Sequence, residues 1–431
     1  MTPPPDPVRP RRRFLADTTP LREVPAFRWL WIGQSLAGIG TQLTVVTVGL
    51  QVYDLTSSTF AVGLVGIFAL VPLVGLGLYG GSLVDVHDRR RVALVASLVL
   101  WVLAIAIAAQ AWLHLGSVGL LYALVALQSA AFAVNNPARS AIVPGIVPRE
   151  LLPAANALSG TTNAIALTVG PLLAGFLVGG WGFQAAYTVD AVTFVAALVG
   201  VHKLPPMPPD RAAGAHRAGL WSVLEGIRFL GTRPNIRMTF LADLCAMVFA
   251  MPRVLYPAVA AAELGGGART VGVLGAGFAA GSVLAGLFSG PLGAVRRQGA
   301  VVVGCISVYG AAVAGFGVVL VVAPDGADWK LWLCVLLLAV SGAADAVSSI
   351  FRGTILQVAT PDALRGRLQG VFIVVVAGGP RLGDVVLGST ASGVGEGFAA
   401  LAGGAACVVA VLALARWQRR FVHYDARNPT P

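Results

Sequence analysis

The chain has 431 residues, of which 57% are hydrophobic and only 11% are charged, and its mean hydropathy is +0.80. This composition excludes a soluble globular protein and is typical of a polytopic helical membrane protein. A net charge of +11 could by itself indicate a nucleic acid partner. The basic residues recur in every second predicted loop, however, as membrane topology requires, so we expect a lipid bilayer and no nucleic acid as partner.

Residue types that bind metals or phosphates are too scattered to predict cofactor chemistry. The five histidines have no Cys, His or Glu partner one helical turn away, and neither lysine follows a glycine, as a phosphate-binding loop would require. The four cysteines all fall within apolar runs, at Cys245, Cys305, Cys334 and Cys407. We therefore expect no metal site, no disulfide, no cofactor and no enzyme activity.

The N-terminal residues 1–26 are rich in Pro and Arg and contain RRRFL at 11–15, which matches the start of a twin-arginine export signal. Such a signal needs an apolar core directly afterwards, but residues 16–25 carry two acids, an arginine and two prolines. We reject the signal and predict a disordered cytoplasmic tail.

The rest of the chain contains twelve apolar stretches, each long enough to cross a bilayer as a helix of about 20 residues. They lie at 27–52, 59–80, 92–113, 118–139, 155–178, 185–202, 238–260, 270–290, 300–322, 331–351, 368–390 and 397–416. We predict two six-helix bundles, at 27–202 and 238–417, joined by a linker at 203–237 and followed by a cytoplasmic tail at 418–431. The fold class is an all-α polytopic membrane protein.

The linker carries apolar residues at helical spacing opposite Ser222, Glu225 and Arg228. The apolar residues are Leu220, Val223, Leu224, Ile227 and Leu230. This pattern predicts an amphipathic helix lying in the cytoplasmic interface. Arginines concentrate in the even-numbered loops and the tails, which predicts that both termini are cytoplasmic. The basic exceptions in the odd-numbered loops are Arg253, Arg269 and Lys330.

The two predicted bundles repeat each other in sequence. A shift of 209 residues places Gly81 on Gly290 and Gly170-Pro171 on Gly379-Pro380, and a shift of 213 places Arg139 on Arg352. Random apolar similarity does not match Gly, Pro and Arg together at consistent offsets. Six plus six spans in parallel repeats is the plan of secondary transporters whose halves rock about a midplane site.

Polar residues mark one face of the fourth stretch and the matching face of the tenth. Gln128, Asn135 and Arg139 correspond there to Ser341, Ser348 and Arg352. The repeat also places Asp345 on Phe132 and Asp243 on Gln34, so only the second bundle carries acids at these positions. We expect these faces to border a wet cavity, although helix capping or interhelical hydrogen bonding would also explain the acids.

Either buried acid is a candidate proton carrier, because a desolvated carboxylate titrates closer to neutrality. The spacing of Arg352 from Asp345, about two turns or roughly 10 Å, suggests that they are too far apart for a tight pair. Arg381 and Asp384 are three residues apart and are predicted to pair with each other. Asp190 is expected near a solvent-accessible helix end, so Asp243 and Asp345 are the acids without an obvious local partner. Arg352 is close enough to favour the charged form of Asp345, which leaves Asp243 as the favoured proton carrier.

Two motifs carry a resemblance to a known family. The loop GGSLVDVHDRRR at 80–91 places Gly81, Asp85, Arg89 and Arg90 in a pattern found between the second and third helices of major facilitator superfamily transporters. Val86 and Asp88 depart from that pattern, and three arginines after a span could also act only as topogenic anchors. In the fifth stretch, small residues around Gly170-Pro171 resemble the antiporter motif of drug-exporting members, with a generic helix kink as the alternative.

The segments at 53–64 and 139–158 further resemble the proton-dependent drug and siderophore exporter branch, which includes enterobactin and macrolide exporters. The resemblance implies a monomer in the bacterial cytoplasmic membrane that exports an amphiphilic small molecule by proton antiport and alternating access. Alternatives are a proton-coupled importer on the same fold and a non-transporting scaffold or sensor. Many relatives carry an arginine near the position of Gln128.

The resemblance and the repeat together define the candidate residues. The gating candidates are Gly81, Asp85, Arg89, Arg90, Arg139, Gly170, Pro171 and Arg352. The cavity and proton candidates are Gln34, Gln128, Asn135, Asp243, Asp345, Arg381 and Asp384.

Overall fold

The structure is a computed structural model that describes residues 17–207, 228, 230–288, 295–324, 328–359 and 365–425. Within these residues the chain is helical, apart from one isolated antiparallel bridge between Arg297 and Asp425. The helices are α1 Thr19–Glu23, α2 Pro25–Thr56, α3 Thr59–Val86, α4 Arg89–Trp112, α5 Val118–Ile146, α6 Leu152–His202, α7 Pro234–Phe249, α8 Tyr256–Ala258, α9 Ala268–Leu287, α10 Gln298–Val322, α11 Asp328–Ala359, α12 Arg365–Val394, α13 Glu396–Trp417 and α14 Arg419–Val422.

Local side chains determine where several of these helices begin. The Ser58 side chain accepts a hydrogen bond from the Ala61 N–H at the start of α3, and the Ser117 side chain accepts one from the Leu120 N–H at the start of α5. These contacts satisfy backbone donors that the first helical turn leaves unpaired. The long apolar helix interiors satisfy their own backbone groups, as a hydrocarbon environment requires.

Ten helical stretches in the described part of the chain are long and apolar enough to cross a membrane. An all-α polytopic membrane protein is thereby confirmed, whereas the count of twelve stays a prediction. The longest of the ten, Arg149–His202, contains Gly182 with φ 81° and ψ 177°. Because this backbone conformation is not helical, two helices meet at Gly182, between the fifth and sixth predicted stretches.

The seventh predicted stretch, 238–260, is interrupted. Helix α7 ends at Phe249, a 3-10 turn follows at Pro252–Leu255, and a π-helical turn at Val259–Glu263 completes the crossing. Pro252 lacks a backbone N–H, and its ring is incompatible with a continuous helix through the preceding turn. The interruption turns the following residues toward α12, which determines the partner of Arg253 described below.

The predicted disorder of the N-terminal tail is wrong for residues 17–26. Helix α1 lies there, and Leu21 and Val24 pack against the buried side chains of Phe27 and Val147. Apolar contacts with the first bundle therefore order the end of the tail. Most of the linker, including its predicted amphipathic face, lies outside the described residues.

The helices that the structure describes pack into two groups, one formed by α1–α6 and the other by α7–α14. In the first, α2 packs on α6, and α5 packs on α3 and α4; in the second, α10 packs on α13 and α11, and α9 on α11. Besides smaller contacts of α3 with the 3-10 turn at Pro252–Leu255 and of α2 with α8, the two groups meet through two helix pairs, α3 with α12 and α6 with α9. We call these two helix pairs together the seam.

The seam lies toward the distal end, which we define as the helix ends opposite Pro25 and Trp417. Glycines allow the close approach: a Cβ on Gly63 would lie 2.6 Å from the Asp384 carbonyl oxygen, and one on Gly388 would lie 2.9 Å from the Thr59 carbonyl oxygen. One buried apolar cluster at the distal end includes residues of both groups. Among the described residues toward the other end, each group has its own separate buried clusters.

Candidate functional site

A charged cluster in the second bundle joins α7 and α11. Arg352 on α11 donates a hydrogen bond through Nη1 to Oδ1 of Asp243 on α7, and its Nη2 lies 3.4 Å from Oδ1 of Asp345. The side chains of Arg352 and Asp243 are each 10% exposed, whereas that of Asp345 is 37% exposed. We call these three residues the Arg352 cluster.

The cluster corrects the expectation that Asp243 has no obvious local partner and that Arg352 is too far from Asp345 for a close ion pair. The backbone rise between two turns of one helix omits the length of the arginine side chain, and long helical side chains lean back toward the N-terminal turns. Which acid on a neighbouring helix is also within reach depends on helix packing. With both acids ionised, one guanidinium faces two carboxylates, so the cluster holds one excess negative charge at high cost inside a membrane.

A second ion pair lies beyond the α7 interruption. Arg253 donates from Nε to Asp384 Oδ1 at 3.0 Å and from Nη2 to Oδ2 at 2.6 Å, a bidentate arrangement that links the 3-10 turn to α12. The predicted pairing of Asp384 with Arg381 is therefore wrong. Asp384 turns toward the arginine that the break in the seventh span brings near it, while Arg381 lies half-buried one turn earlier on α12.

The cavity candidates of the first bundle, Gln34, Gln128 and Asn135, are uncharged. Gln34 borders a pocket of about 120 Å³ between α2 and α6. The pocket is lined by Trp31, Gln34, Ser35, Gly38, Ser159, Thr162, Asn163 and Ala166. Trp31 Nε1 is buried and has no hydrogen-bond acceptor among the described residues. The pocket therefore offers hydroxyl and amide groups.

The polar face of α5 divides in the structure. Gln128 is half-buried, but Asn135 is only 1% exposed and donates to the Ala93 carbonyl oxygen at 3.2 Å and to Ser97 Oγ at 2.8 Å. Asn135 thus joins α5 to α4. The expectation that it borders a cavity is wrong, because α4 covers that part of the helix face. Arg139 has Nε and Nη2 buried with no hydrogen bond within the described part of the chain.

The loop motif connects several elements of the first bundle. Gly81 and Asp85 fall on the last turns of α3, and the structure does not describe the side-chain positions of these turns. Arg90 donates to the His202 carbonyl oxygen at 2.6 Å, at the C-terminal end of α6, where a cation is favoured by the helix dipole. Arg89 lies 3.4 Å from the Ala141 carbonyl oxygen on α5.

Asp88, which departs from the family pattern, has a structural role that the sequence did not reveal. Its Oδ1 accepts from the Arg91 N–H and caps α4, while its Oδ2 accepts from the Met207 N–H in the linker. An acid immediately before three arginines and a helix is a recognisable N-cap signal. The departure from the family pattern at Asp88 therefore supplies a helix cap.

Gly170 and Pro171 lie on two sides of α6. A Cβ on Gly170 would meet the backbone of Leu43 on α2 at 3.3 Å, and a Cβ on Gly272 of α9 would lie 3.1 Å from the Pro171 carbonyl oxygen. Pro171 is thus part of the seam, whereas Gly170 packs against α2 within the first helix group.

Two further acids were missed as candidates. The sequence predicted a solvent-accessible position for Asp190, but the residue is only 2% exposed. Its Oδ2 accepts a hydrogen bond from Thr44 Oγ1 at 2.6 Å. No ion pair to Asp190 is present among the described residues. Glu396, in the first turn of α13, accepts from Thr59 Oγ1 at 2.7 Å and so connects α13 to the start of α3 across the two groups. An isolated acid inside an apolar run was the available signal for Asp190.

Comparison with known proteins places this geometry in a family. A family model described as "Transmembrane secretion effector" matches residues 16–430. The chain is 31% identical over 384 residues to the enterobactin exporter EntS of Citrobacter koseri, with 88% of both chains covered. It is 30% identical over 422 residues to the enterobactin exporter EntS of Escherichia coli O1:K1 / APEC, which covers 95% of this chain and 97% of that protein.

Solved structures agree at the level of the fold. A crystal structure of a POT family transporter in complex with 5-aminolevulinic acid has a TM-score of 0.70 at 10% identity and covers 92% of this chain and 97% of that chain. A bacterial homologue of the iron transporter ferroportin in an inward-facing state has a TM-score of 0.66 at 16% identity, with coverages of 91% and 98%. The chain is a multi-pass membrane protein that belongs to the transmembrane secretion effector family of the major facilitator superfamily, and it is a transporter, not an enzyme.

Proposed function

We propose that the protein exports an amphiphilic small molecule, a siderophore or a drug-like metabolite, across a bacterial cytoplasmic membrane in exchange for protons. The family description as a secretion effector and the names of the enterobactin exporters support export and this substrate class. The position of Gly170 and Pro171 beside the seam supports a role for the antiporter-like motif in the movement of the two halves.

In this proposal the chain crosses the membrane twelve times, as two bundles of six related by the internal repeat. The helices on either side of Gly182 count separately, and α12 is added to the ten apolar stretches. The two described helix groups support the division at the linker. The arginine distribution supports cytoplasmic termini. Cysteines introduced at Arg11 and Asp210 should then resist a membrane-impermeant thiol reagent in intact cells, and labelling of either would contradict the orientation.

With cytoplasmic termini, the distal end faces outward and the seam closes the outer side of a central cavity. The shared apolar cluster and the Thr59–Glu396 hydrogen bond support a closed outer gate. Substrate would then enter from the cytoplasmic side and leave when the seam separates. The neutral pocket beside Gln34 supplies hydrogen-bonding groups for an uncharged part of such a substrate.

The observation that carries the coupling proposal is the Arg352 cluster. One guanidinium can neutralise one carboxylate, so the second acid is the group that gains and loses a proton during the cycle. Asp345 is the better candidate, because Arg352 binds Asp243 more closely and because the Asp345 side chain is 37% exposed. Water in a cavity could reach a side chain of that exposure and deliver the proton.

The function is tested in an efflux-deficient bacterial host that produces the protein. Secretion of iron-free enterobactin and cellular accumulation of a panel of amphiphilic drugs are measured against cells with an empty vector. At least one compound should be exported by the wild type and lost with Asp345→Asn, while the matched control Ser341→Ala on the same helix face should export normally. No export of any compound by a protein present in the membrane would count against the proposal.

A further inference from the structure

A pocket lies at the end of α13, away from the Arg352 cluster and the seam. It has a volume of about 290 Å³. Its lining consists of Leu412, Ala415, Arg416, Arg419, Val422 and His423. One side is therefore apolar and the other is cationic, a combination that neither proton coupling nor substrate export requires at this position.

The pocket is built by an ordered turn of the chain. The backbone leaves the α-helical conformation at Gln418, and α14 folds back with Phe421 fully buried in the apolar cluster of the second helix group. The first turn of α10 approaches it so closely that a Cβ on Gly299 would overlap the Phe421 carbonyl oxygen. The bridge between Arg297 and Asp425 holds the chain beyond α14. The walls are thus positioned by core packing.

Within the described residues, no acid forms an ion pair with the arginines of the pocket. These arginines, Arg416 and Arg419, are both exposed. His423 Nδ1 lies 2.9 Å from the Arg419 carbonyl oxygen, which orients its ring beside the two arginines. Two guanidinium groups beside an apolar wall favour an anion that also carries a hydrocarbon part.

The surroundings indicate which anion this is. Val409 and Leu412 are 67% and 47% exposed, and they lie on the same face of a membrane-crossing helix as Arg416, at i, i+3 and i+7. Trp417 is 61% exposed, and Arg237 lies over its ring at 4.8 Å, an arrangement typical of the membrane-water interface. The cationic side of the pocket therefore lies at headgroup depth, and an apolar strip leads from it into the hydrocarbon region.

We propose that this pocket binds the phosphodiester headgroup of an anionic phospholipid, with the acyl chains lying along the Leu412–Val409 face of α13. A volume near 290 Å³ is at the lower end of the roughly 300–1,000 Å³ of small-molecule sites, as suits a headgroup whose chains stay outside. Arginines that act only as topological anchors would need neither the pocket nor the buried Phe421 that shapes it.

The binding is measured on the purified full-length protein by native mass spectrometry with added phosphatidylglycerol or phosphatidylcholine. One phosphatidylglycerol should bind more tightly than phosphatidylcholine. Arg416→Gln and Arg419→Gln should each weaken it about fivefold, and the double variant about twenty-fivefold. Arg420→Gln is the matched control: Arg420 is exposed on the same short helix but does not line the pocket, so its loss should change the affinity less than twofold.

Three results would overturn the proposal. Equal affinity of the double variant and the wild type would remove the pocket from the interaction. An equal loss with Arg420→Gln would reduce it to diffuse surface charge. Displacement of phosphatidylglycerol by inorganic phosphate at similar concentration would make the ligand a free anion, not a lipid. Thermal unfolding of each variant without added lipid verifies that the fold is intact. If the double variant is unstable, the lipid affinities of the two single variants test the proposal.

Discussion

The substitution Asp345→Asn tests the coupling proposal most directly. Asparagine has nearly the same shape but cannot bind the proton, and the Arg352–Asp243 contact remains in place. The cluster then changes from one cation with two acids to one cation with one acid. We expect gradient-driven export to be lost while downhill exchange of substrate continues within about twofold of the wild type, because the binding surfaces are unchanged.

The magnitude follows from the charge count. If one proton enters per substrate, each pH unit across the membrane supplies about 1.4 kcal/mol, or a tenfold substrate gradient. Liposomes containing the wild-type protein, with a pH difference of about two units, should therefore sustain a gradient of an uncharged substrate of up to about a hundredfold. Liposomes with Asp345→Asn should reach a ratio near one, and liposomes with Ser341→Ala should behave as the wild type.

Asp243→Asn provides the contrast that separates coupling from stability. It also removes the excess charge, so it should abolish uphill export. It additionally breaks the closer contact of a side chain that is only 10% exposed, which should lower the free energy of unfolding by about 1–3 kcal/mol. If Asp345→Asn maintained the wild-type gradient, the Arg352 cluster would not be the coupling site.

The remaining predictions concern the ion pair and the gates. Asp384→Asn should lower the free energy of unfolding by about 1–2 kcal/mol. The loss is smaller than for a fully buried pair because the Arg253 side chain is 41% exposed. Unchanged thermal unfolding in detergent would show that the pair does not stabilise the fold. Glu396→Gln weakens a charge-assisted hydrogen bond from Thr59 and should let the seam open more often. A cysteine placed in the α6–α9 contact should then react several-fold faster with an impermeant thiol reagent, and an unchanged rate would refute the outer-gate role. Asp85→Asn should slow transport at normal membrane abundance, whereas normal transport would reduce the loop motif to a topological anchor.

Hydropathy and motif patterns were sufficient for the class of protein. Lipid allows only helices that satisfy their own backbone, so long apolar stretches predict helices with few alternatives. The same logic failed within stretches. The interruption after Phe249 and the ordered α1 depend on how a proline turn and the Leu21 side chain pack against other helices, and periodicity along one segment contains no information about that packing.

The sequence singled out three acids within apolar stretches but did not predict which arginines they contact. Asp243, Asp345 and Asp384 stood out because charges are rare inside apolar runs. The arginines that contact these acids could not be recognised in the sequence. Arg352 reaches Asp243 on another helix, and Arg253 reaches Asp384 only because the seventh span is interrupted. Asn135 shows the same limit, because its helix face is polar in sequence but is covered by α4.

The amino-acid sequence by itself determined a polytopic helical transporter and singled out Asp243, Asp345 and Asp384, because the cost of placing polar groups in hydrocarbon is local to each stretch. The tertiary structure decided which charges neutralise each other, which polar faces are covered and where the two helix groups touch. These depend on distances between segments far apart in the chain, such as the 109 residues that separate Asp243 from Arg352. Only the packing of whole helices sets those distances.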